Sequence, residues 1–207
     1  MSGKNILIDP MFGSNAAPIA PFSINRFSKD TLQIIDDLPE IDAVFISHDH
    51  YDHLDLDSIG KLIHKTKHFY TAIGDARNLV GWGVEPEKIT EFDWWDTQDF
   101  DEIKITFTPS RHFSGRGFGD RFKSLWGGLV LNNGKENIYF SGDGGHGDHF
   151  KEVGARLGPF DIGLMDCGQY NESWHLIHLY PEETVQAAKD SGVKFISSAI
   201  SYAVKIK

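Results

Sequence analysis

The run His48-Asp49-His50-Tyr51-Asp52-His53-Leu54-Asp55 constrains this chain more than any other stretch. It follows directly on residues 43–47 (AVFIS), a short apolar segment bounded by polar residues, which reads as a buried strand. The end of such a strand is where α/β proteins place chemistry. Three histidines interleaved with aspartates supply borderline nitrogen and hard oxygen donors, a set that suits a zinc-type ion. His48 and His50 are two positions apart, so in extended backbone both project to one side and can share one ion. Asp52 and His53 are adjacent and follow a turn, which lets them serve a second ion a few ångströms away. Two-metal sites hold their ions roughly 3.5–4 Å apart.

Composition narrows the setting. The 207 residues read as one domain over 1–207, long enough to bury a core without disulfides. Lys and Arg number 20 against 30 Asp and Glu, leaving a formal charge of −10. That acidity argues against nucleic acid or an anionic membrane as the main partner. No apolar run approaches the ~20 residues of a membrane span, and nothing ahead of Asp9 reads as a signal peptide. The single cysteine, Cys167, leaves no intrachain disulfide framework and fits a reducing compartment, so a cytoplasmic protein is expected.

Along the chain, short apolar segments alternate with amphipathic ones. Strands are expected at 5–8, 43–47, 68–71, 88–92, 103–108, 161–165 and 194–197. Residues 125–131 and 137–141 form a hairpin around Asn132-Asn133-Gly134. Helices are expected at 57–65, at 75–82, around Phe150, Val153 and Leu157, and at 181–191. The last has Pro181 in its first turn, Glu182 and Glu183 beside it, and Gly192 just past its end. Residues 111–123 are rich in Gly and Arg and read as a long loop over a site. Strands interspersed with helices, with hairpins as well as crossovers, give an α/β fold with a mixed sheet or sheets.

His-x-His-x-Asp-His after an apolar strand resembles the signature of the metallo-β-lactamase superfamily. Further runs extend the resemblance over nearly the whole chain: Ile8-Asp9-Pro10-Met11-Phe12, Leu38-Pro39-Glu40-Ile41-Asp42-Ala43-Val44, Asp93-Trp94-Trp95, Thr108-Pro109-Ser110-Arg111-His112, Leu125-Trp126-Gly127-Gly128, Ser141-Gly142-Asp143-Gly144-Gly145 and Gly158-Pro159-Phe160-Asp161. Together they are similar to the branch that contains N-acyl-phosphatidylethanolamine phospholipase D and bacterial metal-dependent hydrolases. The resemblance implies a four-layer αβ/βα sandwich, two mixed β-sheets face to face with helices outside. It implies one or two zinc ions, with Mn or Fe as alternatives. His48, His50 and His112 match ligands of the first metal, Asp52 and His53 those of the second, and Asp143 the bridging carboxylate. The implied reaction is attack by a zinc-bound hydroxide on an ester, lactone or phosphodiester bond of a small-molecule or lipid-like substrate, with phospholipase D-like cleavage as one form of it. Asp52 would orient the hydroxide, and His178 matches a His kept near the active site by the phospholipase relatives.

The pattern also departs from that branch. Its members carry a further ligand His after the strand that follows the 181–191 helix, near Ile200, whereas this chain has no His after His178. By the same comparison the domain reads as clipped at both ends. The alternative expectation is therefore a degenerate or truncated metal-binding domain without turnover. Arg111 and Arg116 flank His112 and are candidate substrate residues, since Arg forks match phosphate. His146, beside the Asp143 loop, is a third. Trp94 and Trp95 read as sheet-edge packing, and His64 and His68 as surface residues. An oligomer is compatible with all of this.

Overall fold

The computed structural model describes residues 1–16, 31–168 and 172–200, with side chains to Ser198. Two sheets face each other. The first contains β1 (Ile6–Ile8), β2 (Ile41–Ile46), β3 (Thr66–Ala72) and β4 (Ile89–Phe92), in that order and all parallel. The second contains β5 (Thr97–Phe100), β6 (Ile103–Thr108), β7 (Gly128–Asn132), β8 (Asn137–Phe140), β9 (Phe160–Asp166) and β10 (Val193–Ile200), ordered β10-β9-β8-β7-β6-β5. Its β5 to β8 run antiparallel, and β8, β9 and β10 are parallel. Among the described residues, the mixed character expected of both sheets resides in the second, the first being parallel.

The layering follows from alternation along the strands. In β2, Ala43 and Phe45 point into the core between the sheets, where they meet Ile105, Phe107 and Leu129. Val44 and Ile46 point the other way, against Ile35 of α1 (Ile34–Asp37), Ile59 and Leu62 of α2 (Leu56–Leu62) and Leu79 of α3 (Ala76–Gly81). A strand buried on both faces needs an unbroken apolar run, which is why 43–46 reads AVFI. On the far side, Tyr139, Phe160 and Met165 pack against Phe150 and Val153 of α4 (His149–Leu157) and Ala187 and Ala188 of α5 (Pro181–Ser191). The result is helix, sheet, sheet, helix: the αβ/βα sandwich.

Element ends follow local chemistry. Asp55 caps α2, its carboxylate accepting from Ser58 N at 2.9 Å. In α5, Glu183 reaches back to Tyr180 N at 3.0 Å, and Gly192 ends the helix at φ +75°, a conformation that favours glycine. The first strand of the expected hairpin, at 125–131, starts later, at Gly128. Leu125 N and Gly127 N instead bond Ile73 O (2.7 Å) and Ser47 O (3.2 Å), tying the end of the loop to the first sheet. Of the described strands and α-helices, two had no counterpart in the sequence reading: β5, an edge strand whose Thr97, Gln98 and Asp99 are all exposed, and the single-turn α1. His68 differs too. It lies half-buried on β3, with Nε2 2.9 Å from Thr90 Oγ1, while His64 is exposed. Residues 201–207 lie outside the described residues, as does the side chain of Ile200. Among the described residues no helix is long and apolar enough to cross a membrane.

Candidate metal centre

The ends of β1, β2, β6, β8 and β9 converge at one edge of the sandwich. Parallel pairing sets Ile8 against Phe45, so Asp9 and Ser47, just past their strands, lie side by side. Ser47 N donates to Asp9 Oδ1 (2.7 Å) and Ser47 Oγ donates to Asp9 Oδ2 (2.6 Å). With its proton given to Asp9, the Ser47 hydroxyl can only accept from His48 Nδ1, 2.8 Å away. That fixes His48 as the Nδ1–H tautomer, with the Nε2 lone pair facing inward.

The same logic fixes His112. Its Nδ1 lies 3.0 Å from the carbonyl oxygen of Ile177, which can only accept, so Nε2 again presents a lone pair. Both lone pairs face His50 Nδ1, at 2.9 Å from His48 Nε2 and 3.1 Å from His112 Nε2. Three ring nitrogens crowded this closely need a cation or a proton among them. With Zn–N bonds of 2.0–2.1 Å, tetrahedral ligand atoms stand about 3.3 Å apart. The donor set, spacing and tautomers therefore fit a zinc-type ion.

A second group adjoins the first. His53 Nδ1 lies 2.7 Å from Asp9 Oδ2, and its Nε2 lies 3.1 Å from Asp143 Oδ2. Asp52 Oδ2 is 3.9 Å from His53 Nε2, and Asp52 is the most exposed carboxylate here, at 31%. Asp143 Oδ2 is also 3.8 Å from His112 Nε2, so this carboxylate faces both groups. Its Oδ1 is buried with no hydrogen-bond partner, an acceptor left for something else to satisfy. Asp143 is carried by a sharp turn at Gly142 (φ +62°), where any Cβ would collide with the carbonyl oxygen of Gly127. Potential metal-holding triads are His48, His50 and His112; His48, His53 and Asp143; and His112, Asp143 and His178, the ligand atoms of each within 4.8 Å of one another.

Electrostatics divide the two halves. Burial pushes His50 down to about 4 and His112 to about 3, and it lowers His48 as well, with the neighbouring histidines adding to the shift there. These rings are neutral at pH 7. Burial also opposes charge on His53, but Asp143, Asp52 and Asp9 outweigh it and raise its pKa. Burial alone would raise Asp143; His53 beside it holds it low instead. Without metal, His53 is thus an imidazolium clasped between Asp9 and Asp143.

His178 stands at the rim. Its Nδ1 lies 3.2 Å from Asp166 Oδ2 and 3.8 Å from Asp143 Oδ2, and its ring packs on His112 at 5.3 Å. Burial raises Asp166 to about 6, partly offset by His178. Asp166 also accepts from Gly144 N (3.2 Å) and Leu179 N (3.3 Å), which binds the Asp143 turn to the His178 segment. Neither Asp9 nor Asp166 was singled out in the sequence as a site residue. Each ends a strand, the one signal that could have found them.

The expected substrate residues fare differently. Arg111 Nη1 donates to His146 O at 3.0 Å, and His146 Nε2 lies 3.3 Å from Asp190 Oδ2. Arg116, expected to hold phosphate, has its Nη1 committed to two backbone carbonyls, Asp49 O and Leu54 O, both at 2.6 Å. Its guanidinium stacks on Tyr51 at 4.0 Å. Through Nη1 the guanidinium braces the loop against the 49–54 segment. Trp94 and Trp95 do pack at the sheet edge: Trp94 Nε1 donates to Trp126 O (2.6 Å), and Arg156 lies 4.1 Å over the Trp95 ring.

Comparison with known proteins bears on this geometry. Residues 4–197 match the family model described as the beta-lactamase superfamily domain. An uncharacterised protein of Mycobacterium tuberculosis is 38% identical over 191 residues, 92% of this chain and 51% of that protein. The N-acyl-phosphatidylethanolamine-hydrolyzing phospholipase D 1 of Caenorhabditis elegans is 28% identical, over 91% of this chain and 56% of its own length. The chain therefore spans about half the length of these curated relatives. Among solved structures, a metallo hydrolase from Ignicoccus hospitalis superposes with a TM-score of 0.70 at 20% identity, covering 95% of this chain and 74% of that one.

Proposed function

Because the chain belongs to the beta-lactamase superfamily domain family, we propose that it is a metal-dependent hydrolase working at the His48–His53 cluster. One observation carries this reading. The inward nitrogens of His48, His50 and His112 meet at 2.9 and 3.1 Å, with the outward nitrogens of His48 and His112 locked by Ser47 and Ile177. That arrangement offers neutral lone pairs to a cation.

The ion we assign is zinc, with Mn or Fe as alternatives that nitrogen and carboxylate donors also suit. His48, His50 and His112 would hold one ion; Asp52, His53 and Asp143 would serve a second, with Asp143 reaching both. When bound, such an ion polarises the scissile group and lowers the pKa of a coordinated water toward ~7. The protein's own groups do the rest. Asp52, partly exposed, orients the attacking water and accepts its hydrogen bond. Asp166 holds the Nδ1 proton of His178 at the rim, where the pair serves proton transfer toward a leaving group.

The bond cleaved is an ester, lactone or phosphodiester. The similarity to the Caenorhabditis elegans phospholipase D favours the phosphodiester and a small or lipid-like substrate. Arg111 and His146 are assigned to the substrate side. The charge of −10 disfavours a polynucleotide. With one cysteine, the chain fits the reducing cytoplasm. The test is hydrolysis of a p-nitrophenyl ester, a lactone and bis(p-nitrophenyl) phosphate by zinc-loaded and chelator-stripped protein. Metal-dependent turnover of at least one supports the reading. Metal uptake with no turnover on an expanded ester, lactone and phosphodiester panel would assign a metal-holding domain instead.

A further inference from the structure

We infer that Asp49 is a positioning residue that, together with Arg116, laces the loop carrying His112 to the segment carrying His48 and His50. The inference rests on the reading of that cluster as a cation centre. Asp49 sits between two of the proposed ligands, yet its side chain turns away from them and is fully buried. Its Oδ1 accepts from Gly115 N at 2.7 Å and its Oδ2 from Ser124 Oγ at 3.1 Å, with Arg77 Nη2 at 3.7 Å.

Those partners are the two sides of a loop neck. Ser114 Oγ donates to Ser124 O at 2.5 Å, and Phe122 N donates to Ser114 O at 3.1 Å, so the loop is closed where Asp49 grips it. Arg116 repeats the connection in the opposite direction, donating from the loop to Asp49 O and Leu54 O. Tyr51 OH returns to Arg116 O at 2.8 Å. The need for such lacing is physical. Residues 109–127 contain no helix or strand, yet His112 must stand within a few tenths of an ångström of its place beside His50. Its ring is oriented by the Ile177 carbonyl and by packing against Phe113 and His178, all groups that leave the loop backbone itself to be fixed by other contacts. Gly115 is three residues from His112, close enough for the grip on its N–H to set the ring's position.

Loss of outer contacts of this kind typically costs ~10–100-fold in metal affinity. The proposal separates the two ions, because the Asp52, His53 and Asp143 group is not carried by this loop. The experiment is a chelator-competition titration with zinc on the full chain, comparing wild type, Asp49→Ala and Asp49→Asn, with thermal unfolding of each metal-free protein alongside. Asp49→Ala is expected to weaken the tighter ion ~10–100-fold and leave the weaker ion unchanged. Asp49→Asn, which keeps an acceptor for Gly115 N–H, is expected to fall between Asp49→Ala and wild type. Unchanged affinity for the tighter ion, or equal weakening of both, overturns the proposal, as it would if only the unfolding temperature moved. Should Asp49→Ala fail to fold, Asp49→Asn decides by the same two readings. If the wild-type chain takes up no zinc, the reading of the cluster fails and the inference with it.

Discussion

His53 Nε2 lies 3.1 Å from Asp143 Oδ2, and this contact joins a charged ring to a charged carboxylate in the middle of an otherwise neutral histidine cluster. His53 is raised while His50 and His112 are lowered to about 4 and about 3, so the two halves of the site hold different numbers of protons at pH 7.

The sign of the consequence is definite. His48, His50 and His112 are already deprotonated at pH 7, so uptake of an ion there draws no proton from these rings, and only a coordinated water can contribute a fraction of one. His53 must give up its Nε2 proton before that nitrogen can bind a second ion. Affinity for the second ion should therefore rise about tenfold per pH unit while pH is below the raised pKa of His53, and affinity for the first should stay nearly flat from pH ~5 to ~7, where a coordinated water begins to ionise. Calorimetric titration with zinc at pH 7, in two buffers of different ionisation enthalpy, measures both. Release of a proton with the first equivalent and none with the second would reverse the assignment.

Asp9 supports the site from behind. It accepts from Ser47 N, Ser47 Oγ and His53 Nδ1, and it does so at φ +44°, where only Gly, Asn and Asp sit with ease. Asp9→Ala should lower unfolding free energy by about 1–3 kcal/mol through the unsatisfied Ser47 amide and the backbone conformation. Asp9→Asn tolerates that backbone and keeps one acceptor, so it should be the milder change. Denaturant unfolding of the two metal-free variants tests the order; an Asn variant less stable than the Ala variant would contradict it.

Asp166 and His178 form the proton-handling pair of the proposed chemistry, and His178 is partly open to solvent at 20%. Replacing His178 by Ala should lower kcat ~10²–10⁴-fold, the range expected for a general acid or base. The tighter zinc should stay bound, since the His48, His50 and His112 nitrogens do not depend on it. Steady-state kinetics with metal content measured on the same sample separates the two effects. Full activity, or loss of all zinc, would remove His178 from that role.

What was legible in the sequence follows from how local each signal is. Strand β6 and helix α5 fall on their expected bounds, because Ile103, Ile105 and Phe107 alternate and Pro181, Glu183 and Gly192 mark a helix start and stop. The His48–His53 run was visible because its donors are contiguous. Strand β5 was not, since an exposed edge strand has no face to bury and so no alternation. Asp9 and Asp166 acquire their roles only when parallel pairing sets β1 beside β2 and brings the end of β9 under the Asp143 turn. For Arg116, a Gly-rich loop gives no sign of which way its guanidinium turns. Here it turns inward, onto the carbonyls of Asp49 and Leu54.

The central claim is that the histidine nitrogens gathered at the end of β2 and in the His112 loop hold a metal ion. Zinc content after loading and gel filtration, measured side by side on wild type and on the double variant His48→Ala, His50→Ala, tests it most directly. Wild type should keep at least one tightly held equivalent, and the double variant should fall to near zero while remaining folded by circular dichroism. A folded double variant that retains wild-type zinc would contradict the account.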